Sequence, residues 1–243
     1  MEKFINRAML LAAGLGTRLR PLTFSTPKPL IDIGGVGLIE HQLAYLASHG
    51  ISEVIVNLHH LGRQITDRVG DGSRFGLLVR YSKEPRILGT GGGIKKAEGF
   101  FKGEPFVALN SDALIDADVK ALIEAHLESS SVATMVVKEL TGGDPYNPVE
   151  IDEDGAVRGF SSGRHFYTGL QILGKEMLDA LPPAGSPACL IKDGYEKIIG
   201  AGLPVKSFLH RGYFNDLGTF ERLEKARADV ASGAFKLSEN QAP

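Results

Sequence analysis

Apolar runs of strand length alternate with helical patterns through the first half of the sequence. The strand-like runs cover residues 8–13, 54–58, 77–81 and 106–109, and the helical patterns cover residues 39–46, 61–69, 94–101 and 119–127. Neighbouring parallel strands need a crossover connection, which a helix usually supplies. The order therefore predicts an α/β fold in which a Rossmann-like, mostly parallel sheet is flanked by helices.

The pattern changes beyond residue 132. Strand-like runs at 132–137, 149–152, 156–160 and 166–173 follow one another, and a strand at 205–209 separates helical patterns at 190–199 and 220–230. Asp154-Gly155 is a typical hairpin turn between two of these runs. We expect one domain over residues 1–243, with a small antiparallel β elaboration in its C-terminal half and a polar end after Leu237 that frays.

Composition excludes several classes of protein. The 27 Lys and Arg residues nearly balance the 29 Asp and Glu residues, so we expect no nucleic-acid or membrane partner. The apolar run at 8–13 meets Arg18 and Arg20 rather than a cleavage site, and no apolar stretch approaches the length of a membrane span. The single cysteine, Cys189, is predicted to be a small core side chain in a reducing, cytoplasmic setting. We expect a monomer or small homo-oligomer.

Residues 14–23 place two glycines and two arginines directly after the first strand. A dinucleotide fingerprint needs a third glycine where Leu19 stands, and Pro21 interrupts the helix that should follow. A P-loop is excluded because its Gly-Lys-Ser/Thr ending is absent. The remaining interpretation is an extended loop whose backbone amides wrap a triphosphate, with Arg18 and Lys28 binding phosphate oxygens. The alternative is that both are solvated surface charges.

Several motifs, taken in order, resemble the signature of the sugar-1-phosphate nucleotidyltransferases. They are Gly14-Leu15-Gly16-Thr17-Arg18-Leu19-Arg20-Pro21-Leu22-Thr23, Pro27-Lys28-Pro29-Leu30, Leu88-Gly89-Thr90-Gly91-Gly92-Gly93, Asn110-Ser111-Asp112 and Asp216-Leu217-Gly218-Thr219. The resemblance implies a nucleotidyltransferase A-type fold with a nucleotide-binding half at 1–130 and a sugar-binding half at 131–243. It also implies that a nucleoside monophosphate passes from a nucleoside triphosphate to a sugar 1-phosphate, which yields a nucleotide sugar and pyrophosphate.

The same resemblance implies roles for individual residues. Arg18 would clamp the leaving phosphates, and Lys28 would neutralise charge near the α-phosphate. Asp112 and Asp216 would bind Mg²⁺ through hard carboxylate oxygens; the alternatives are a turn aspartate at 112 and a cap of the final helix at 216. The implied nucleotide-binding set is Leu11, Ala12, Ala13, Gly14, Gly16, Thr17, Glu84, Gly89 and Thr90. Serine stands at position 111, where the family most often carries glycine.

Recognition of the base and the sugar is less constrained. Glu84 occupies the position from which family members read the base edge, and a carboxylate suits both uracil and guanine. Asn110, Glu150, Tyr167 and Gly169 are the candidates for the sugar site, although a strand with alternating polar residues explains the last three equally well.

One subgroup of the family fits best. Residues 70–77, Tyr81-Ser82-Lys83-Glu84, the triple glycine at 91–93 and residues 167–173 look like the short N-acetylmuramic acid 1-phosphate uridylyltransferases of bacterial cell-wall recycling. Mannose 1-phosphate guanylyltransferases, which use GTP, are similar over the first 110 residues. Two other classes stay open. One is a non-catalytic regulator that binds a nucleotide sugar. The other is an NAD-dependent oxidoreductase, which Leu19 and Pro21 argue against.

Overall fold

The computed structural model describes residues 4–236, which divide into two compact units. Unit I comprises residues 6–87, 110–116 and 213–236, and unit II comprises residues 4–5, 88–109 and 117–212. No helix in this described part of the chain is both long enough and apolar enough to cross a lipid bilayer. The predicted fraying after Leu237 concerns residues outside the described range.

Strands and helices alternate along the described residues. The strands are β1 (Arg7–Leu11), β2 (Asp32–Ile33), β3 (Val36–Gly37), β4 (Glu53–Leu58), β5 (Leu78–Lys83), β6 (Phe106–Asn110), β7 (Ala113–Ile115), β8 (Ala133–Glu139), β9 (Pro148–Ile151), β10 (Val157–Gly159), β11 (His165–Leu173), β12 (Val205–Leu209) and β13 (Phe214–Asp216). The helices are α1 (Leu38–Ser48), α2 (Gly62–Val69), α3 (Gly89–Lys96), α4 (Glu98–Phe101), α5 (Val119–Glu128), α6 (Lys175–Ala180), α7 (Glu196–Gly200) and α8 (Phe220–Ala231).

Unit I contains the predicted parallel sheet. Strand β1 pairs in parallel with β4, with Met9 opposite Ile55, and β4 pairs in parallel with β5. Helix α1 connects β1 to β4 and helix α2 connects β4 to β5. The crossover connections inferred from the sequence are therefore confirmed, because each parallel pair is joined through a helix.

Helix α1 follows from its apolar spacing. Ile39, Leu43 and Leu46 recur at intervals of three or four residues and are fully buried. Glu40 satisfies the start of the helix, since its Oε2 accepts from the backbone N–H of Gly37 at 3.1 Å. The helix ends at Ser48 with His49 as its C-cap, and Gly50 then turns the chain with a φ of +88°.

A two-stranded ribbon joins distant parts of unit I. Strands β7 and β13 pair antiparallel, with Asp216 opposite Ala113. Leu114 of β7 and Leu217, which directly follows β13, pack in one buried cluster with Leu19 and with Leu223 of α8. The ribbon, the final helix and the segment carrying the first glycines thus share one core.

Unit II contains the antiparallel elaboration. Strand β11 pairs antiparallel with β6, β8 and β9, and β9 pairs antiparallel with β10. The predicted hairpin turn at Asp154-Gly155 is confirmed, with a φ of +76° at Gly155. Strand β12 runs parallel to β8 and is the exception in this unit. The α/β class, with a parallel sheet flanked by helices and an antiparallel elaboration, is confirmed.

The prediction for Cys189 is wrong, because its side chain is exposed. Its backbone N–H donates to Oδ2 of Asp193 at 2.8 Å, which begins a π-helical turn over Leu190–Tyr195. The neighbouring side chains of Ala188 and Leu190 are buried instead. The cysteine therefore faces outward where the chain enters the turn.

Candidate active site

The first glycine segment forms a closed loop after β1. The hydroxyl of Thr23 donates to the carbonyl of Gly16 at 2.9 Å, and the N–H of Leu19 donates to the same carbonyl at 2.9 Å. Gly16 has a φ of +61°, and a Cβ atom there would lie 2.8 Å from Cγ2 of Thr23. Both the backbone conformation and the contact with Thr23 require glycine at position 16.

Gly14 differs from Gly16. A Cβ atom at Gly14 would meet no heavy atom within 4 Å, and its φ is not positive. The residue is exposed, whereas Ala12 and Ala13 before it are buried. No contact among the described residues requires glycine at position 14, so the backbone there is open to solvent.

A buried polar chain supports the base of this loop. The N–H of Ala12 donates to Oδ1 of Asn57 at 2.7 Å, and Nδ2 of Asn57 donates to Oε1 of Glu84 at 2.8 Å. Asn57 and Glu84 are only 2% and 3% exposed. The carboxylate of Glu84 is therefore not exposed at the surface. It is hydrogen-bonded to Asn57, which in turn bonds the backbone N–H of Ala12 at the start of the glycine loop.

Lys28 and Asp112 form an ion pair in unit I. Nζ of Lys28 lies 2.9 Å from Oδ2 of Asp112. The lysine side chain is buried and the aspartate side chain is 36% exposed. Pro27 enters with extended backbone and Pro29 follows Lys28 in a short 3₁₀ turn, so the lysine sits on a stiff segment. Lys28 is thus not the solvated surface charge of the alternative interpretation.

Asp216 is held by its own segment and by α8. Its Oδ1 accepts from the N–H of Gly218 at 2.9 Å, and its Oδ2 pairs with the guanidinium of Arg222. The cap of α8 is Thr219, whose hydroxyl accepts from the N–H of Arg222 at 3.3 Å. The alternative role of Asp216 as the helix cap is therefore wrong.

The guanidinium of Arg18 lies close to Gly218 and Asp216. A Cβ atom on Gly218 would lie 2.9 Å from Nη1 and from Nη2 of Arg18, and 2.5 Å from Oδ1 of Asp216. Glycine at position 218 lets the guanidinium lie against the backbone beside the aspartate. Arg18, which belongs to the glycine-loop motif, therefore lies next to the motif at residues 216–219.

The ribbon of β7 and β13 brings the two aspartates to one end. Asp216 lies opposite Ala113, the residue after Asp112, and the N–H of Leu217 donates to the carbonyl of Asp112 at 2.8 Å. Arg18, Lys28, Asp112 and Asp216 are therefore collected in unit I, which the sequence could not establish.

The donor set at this place fits Mg²⁺. The ion is usually held by one or two carboxylates together with substrate phosphates. A carboxylate that accepts hydrogen bonds has about four lone-pair sites, so pairing with a lysine or an arginine does not use it up. Within residues 4–236, no group of three or more His, Cys, Asp or Glu side chains could hold a metal ion. Two carboxylates with substrate oxygens therefore suit Mg²⁺ better than a cage made wholly of protein ligands.

The second glycine motif lies in unit II and has a packing role. A Cβ atom at Gly89 would lie 2.6 Å from the carbonyl oxygen of Ala188, and one at Gly92 would lie 2.5 Å from that of Ser186. The hydroxyl of Thr90 accepts from the N–H of Leu190 at 3.2 Å. These glycines admit the backbone of residues 186–190, so helix α3 begins at Gly89 rather than near residue 94 as predicted.

The sugar-site candidates are divided between the units. Glu150 is exposed on β9 and accepts from the hydroxyl of Ser162 at 3.2 Å. Tyr167 and Gly169 lie at an irregularity of β11, where Gly169 has a φ of +90°. Asn110 ends β6 and belongs to unit I.

The motifs assigned no role to several residues that hold these segments in place. They are Thr23 and Arg222, described above, and two buried amides, Gln42 and Asn57. Asn57 carried a signal, because it is a polar residue inside the apolar run at 54–58. Gln42 carried none, since helix α1 was recognised by its apolar positions alone.

Known proteins similar to this chain point to one kind of enzyme. A family model described as "Nucleotidyl transferase" matches residues 7–233. The chain is 37% identical over 241 residues to the N-acetylmuramate alpha-1-phosphate uridylyltransferase of Neisseria meningitidis serogroup B, an alignment that covers 95% of this chain and 100% of that protein.

Two further similarities extend this picture. The UTP–glucose-1-phosphate uridylyltransferase of Synechocystis sp. is 35% identical over 221 residues, which are 82% of this chain and 56% of that protein, so this chain spans about half the length of that relative. The crystal structure of HddC from Yersinia pseudotuberculosis in complex with GMP-PN superposes with a TM-score of 0.78 at 27% identity, over 93% of this chain and 100% of that one.

Proposed function

Because the chain belongs to the nucleotidyl transferase family, we propose that it transfers a nucleoside monophosphate from a nucleoside triphosphate to a sugar 1-phosphate. The observation that carries this proposal is the collection of Arg18, Lys28, Asp112 and Asp216 in unit I, which also contains the glycine loop. Two cations and two carboxylates near one loop suit a reaction between two highly charged phosphates.

The chemistry needs positioning and charge stabilisation more than proton transfer. A phosphate oxygen of the sugar 1-phosphate attacks the α-phosphorus, a new P–O bond forms, and the bond to the β-phosphate breaks with its electron pair leaving on pyrophosphate. The nucleophile is already an anion, so no general base is required. Arg18 holds the leaving phosphates through its planar donor fork, and Lys28 stabilises the charge that develops at the α-phosphate.

Asp112 and Asp216 are the residues that would hold Mg²⁺. When bound, the ion supplies charge that offsets the repulsion between the two phosphate groups. The ion pair with Lys28 orients the carboxylate of Asp112. The backbone of residues 11–17 provides the donors that receive the triphosphate.

The substrates we assign are UTP and N-acetylmuramic acid 1-phosphate, in a cytoplasmic enzyme of cell-wall recycling. The full-length similarity to the Neisseria uridylyltransferase supports this pair. GTP with mannose 1-phosphate is the second candidate, and the likeness to a structure that contains GMP-PN supports the guanine nucleotide.

A substrate matrix tests the proposal. Pyrophosphate release is measured for UTP, GTP, CTP and dTTP, each with N-acetylmuramic acid, glucose and mannose 1-phosphate. We expect the highest kcat/KM for UTP with N-acetylmuramic acid 1-phosphate. The best rate with GTP would move the assignment to the guanylyltransferases. Tight nucleotide binding with no release from any pair would contradict an enzyme and favour a regulator.

Asp112→Asn tests the metal assignment in the same assay. The change removes a charge that only the metal and Lys28 use, so we expect metal-dependent turnover to fall at least ~100-fold while the chain stays folded. Asp67→Asn, at an exposed position of α2, is the matched control and should keep wild-type turnover. Near-normal activity of Asp112→Asn would assign the metal to other residues.

A further inference from the structure

The acidic loop, residues 110–113, is held from one side by helix α1. Gln42 is 1% exposed, and its Nε2 donates to the carbonyl of Asn110 at 3.0 Å and to the carbonyl of Ala113 at 2.9 Å. These two carbonyls flank Ser111-Asp112 on either side. One amide group on a rigid helix therefore fixes both ends of the segment that carries Asp112.

The acidic loop is held from a second side by the end of β1. The hydroxyl of Ser111 donates to the carbonyl of Leu11 at 2.7 Å, and the N–H of Ser111 donates to the same carbonyl at 3.2 Å. Leu11 is the residue at which the chain enters the glycine loop. The side chain of Ser111 thus adds a tether between the acidic loop and the glycine loop.

The arrangement at Gln42 is not optimal for stability. Its Oε1 is buried and has no hydrogen-bond partner among the described residues. An unsatisfied buried acceptor costs free energy, and few are found in native proteins. Half of the Gln42 amide is therefore unsatisfied, and the two hydrogen bonds that its side chain donates both go to the acidic loop.

We infer that Gln42 is a positioning residue for metal binding. It fixes the backbone of Asp112 by hydrogen bonds to the carbonyls of Asn110 and Ala113 on either side. Ser111 provides the second tether of the same loop. This inference rests on the proposed function in giving Asp112 the metal. Partners that orient a metal ligand without touching the metal typically change metal affinity 10- to 100-fold when they are mutated.

The experiment compares Gln42→Met with Gln171→Met in the full chain. Methionine has similar length and no donors. Gln171 is the matched control because it is also fully buried with one unsatisfied atom, Nε2, but it bonds Tyr195 of unit II instead of the acidic loop. The measurements are Mn²⁺ binding by electron paramagnetic resonance, amide hydrogen exchange at Ser111 and Leu217, and the urea midpoint of unfolding.

We expect Gln42→Met to weaken Mn²⁺ binding about 10- to 100-fold and to speed exchange at both amides, since the loop loses its fixed ends. Gln171→Met should change neither. Equal Mn²⁺ affinity in Gln42→Met and wild type, with binding abolished by Asp112→Asn, would overturn the inference. So would a Gln42→Met variant whose exchange rates match those of Gln171→Met at equal urea midpoints.

Ser111→Ala decides the matter if Gln42→Met does not fold. It removes only the hydroxyl tether, and we expect weaker Mn²⁺ binding with a nearly unchanged urea midpoint; unchanged binding would overturn the inference. A failure of the proposed function is distinguishable. In that case Asp112→Asn binds Mn²⁺ as the wild type does, and the exchange rates at Ser111 and Leu217 still decide whether Gln42 fixes the loop.

Discussion

Two glycines in one short loop are small for different reasons. Gly16 has a left-handed backbone and touches Thr23, so the folded chain itself requires it. Gly14 meets no such restriction from its surroundings. Both positions carry the same residue in the sequence motif, and only the contacts separate the glycine that the fold requires from the one whose surroundings are open.

Alanine substitution at the two positions should give opposite results. Gly16→Ala places a side chain at positive φ, which costs on the order of 1–3 kcal/mol of stability. Gly14→Ala should change stability by no more than about 0.5 kcal/mol but weaken UTP binding, because the new methyl group occupies the space in front of the backbone. Chemical denaturation and calorimetric titration with UTP measure the two effects. Unchanged UTP affinity in Gly14→Ala would contradict a phosphate-binding role for this face of the loop.

Glu84 is buried and bonded to Asn57, which adds a structural role to the predicted reading of the base. Oδ1 of Asn57 also accepts from the N–H of Ala12, so a substitution at Asn57 or at Glu84 can disturb the glycine loop. The predicted contact with the base and this supporting contact use the same carboxylate group, so single substitutions must be chosen to separate them.

Asn57→Ala and Glu84→Gln separate the two roles. Asn57→Ala leaves the N–H of Ala12 and the carboxylate of Glu84 each short of a buried partner, which should cost about 1–3 kcal/mol for each group. Glu84→Gln keeps an oxygen facing Asn57, so we expect a smaller loss of stability but a clear loss of affinity for UTP. Wild-type UTP affinity in Glu84→Gln, measured by calorimetry, would leave Glu84 with the supporting role alone.

At the scale of elements, the regular ones were predictable and the short ones were not. Most of the predicted strands and helices of the first half agree with the structure to within one or two residues at each end, but the helix predicted at 94–101 is two helices, α3 (Gly89–Lys96) and α4 (Glu98–Phe101). Strands β7 and β13 have three residues each and were missed. Periodicity needs several residues to register, so the ribbon that joins the aspartates leaves almost no local pattern.

Helix α3 shows how tertiary contacts override local preference. Glycine is a poor helix former, and the run at 89–93 suggested a loop before the helix. The close backbone of residues 186–190 leaves no room for larger side chains, so the glycines are part of the helix itself. Sequence alone gives the glycines but not the partner segment about one hundred residues later.

Helix α1 also carries a buried histidine with a consequence for pH. His41 is 2% exposed and lies against the rings of Tyr45 and Phe235. Burial lowers the pKa of His41 from 6.5 to about 4. The unfolded chain therefore takes up a proton below pH ~6.5 that the folded chain takes up only near pH 4.

The free energy of unfolding should therefore fall as pH decreases from about 6.5 to 4, by up to roughly one kcal/mol per pH unit from this residue. Above pH ~6.5 the residue contributes no slope. His41→Phe should flatten the curve in this window, as measured by urea denaturation at several pH values. An equally steep curve in His41→Phe would assign the slope to other groups.

At the scale of the whole molecule, the predicted site residues came from motifs, whereas their spatial relation came only from the structure. Arg18, Lys28, Asp112 and Asp216 were all named from the sequence because they stand in recognisable motifs. Hydrophobic patterns act over a few residues, so they cannot say which distant segments meet. The supporting residues Gln42 and Asn57 were missed for the same reason, since their partners lie 68 and 45 positions away.

The ribbon of β7 and β13 also has a consequence for how the protein is made. Lys28 and Asp112 are 84 positions apart, and Asp216 pairs with a strand that precedes it by most of unit II. Closing such long loops is entropically slow, so contacts of this kind form late in folding. A ribosome releases the glycine loop early, but the pair of aspartates cannot assemble until the segment with β13 has emerged.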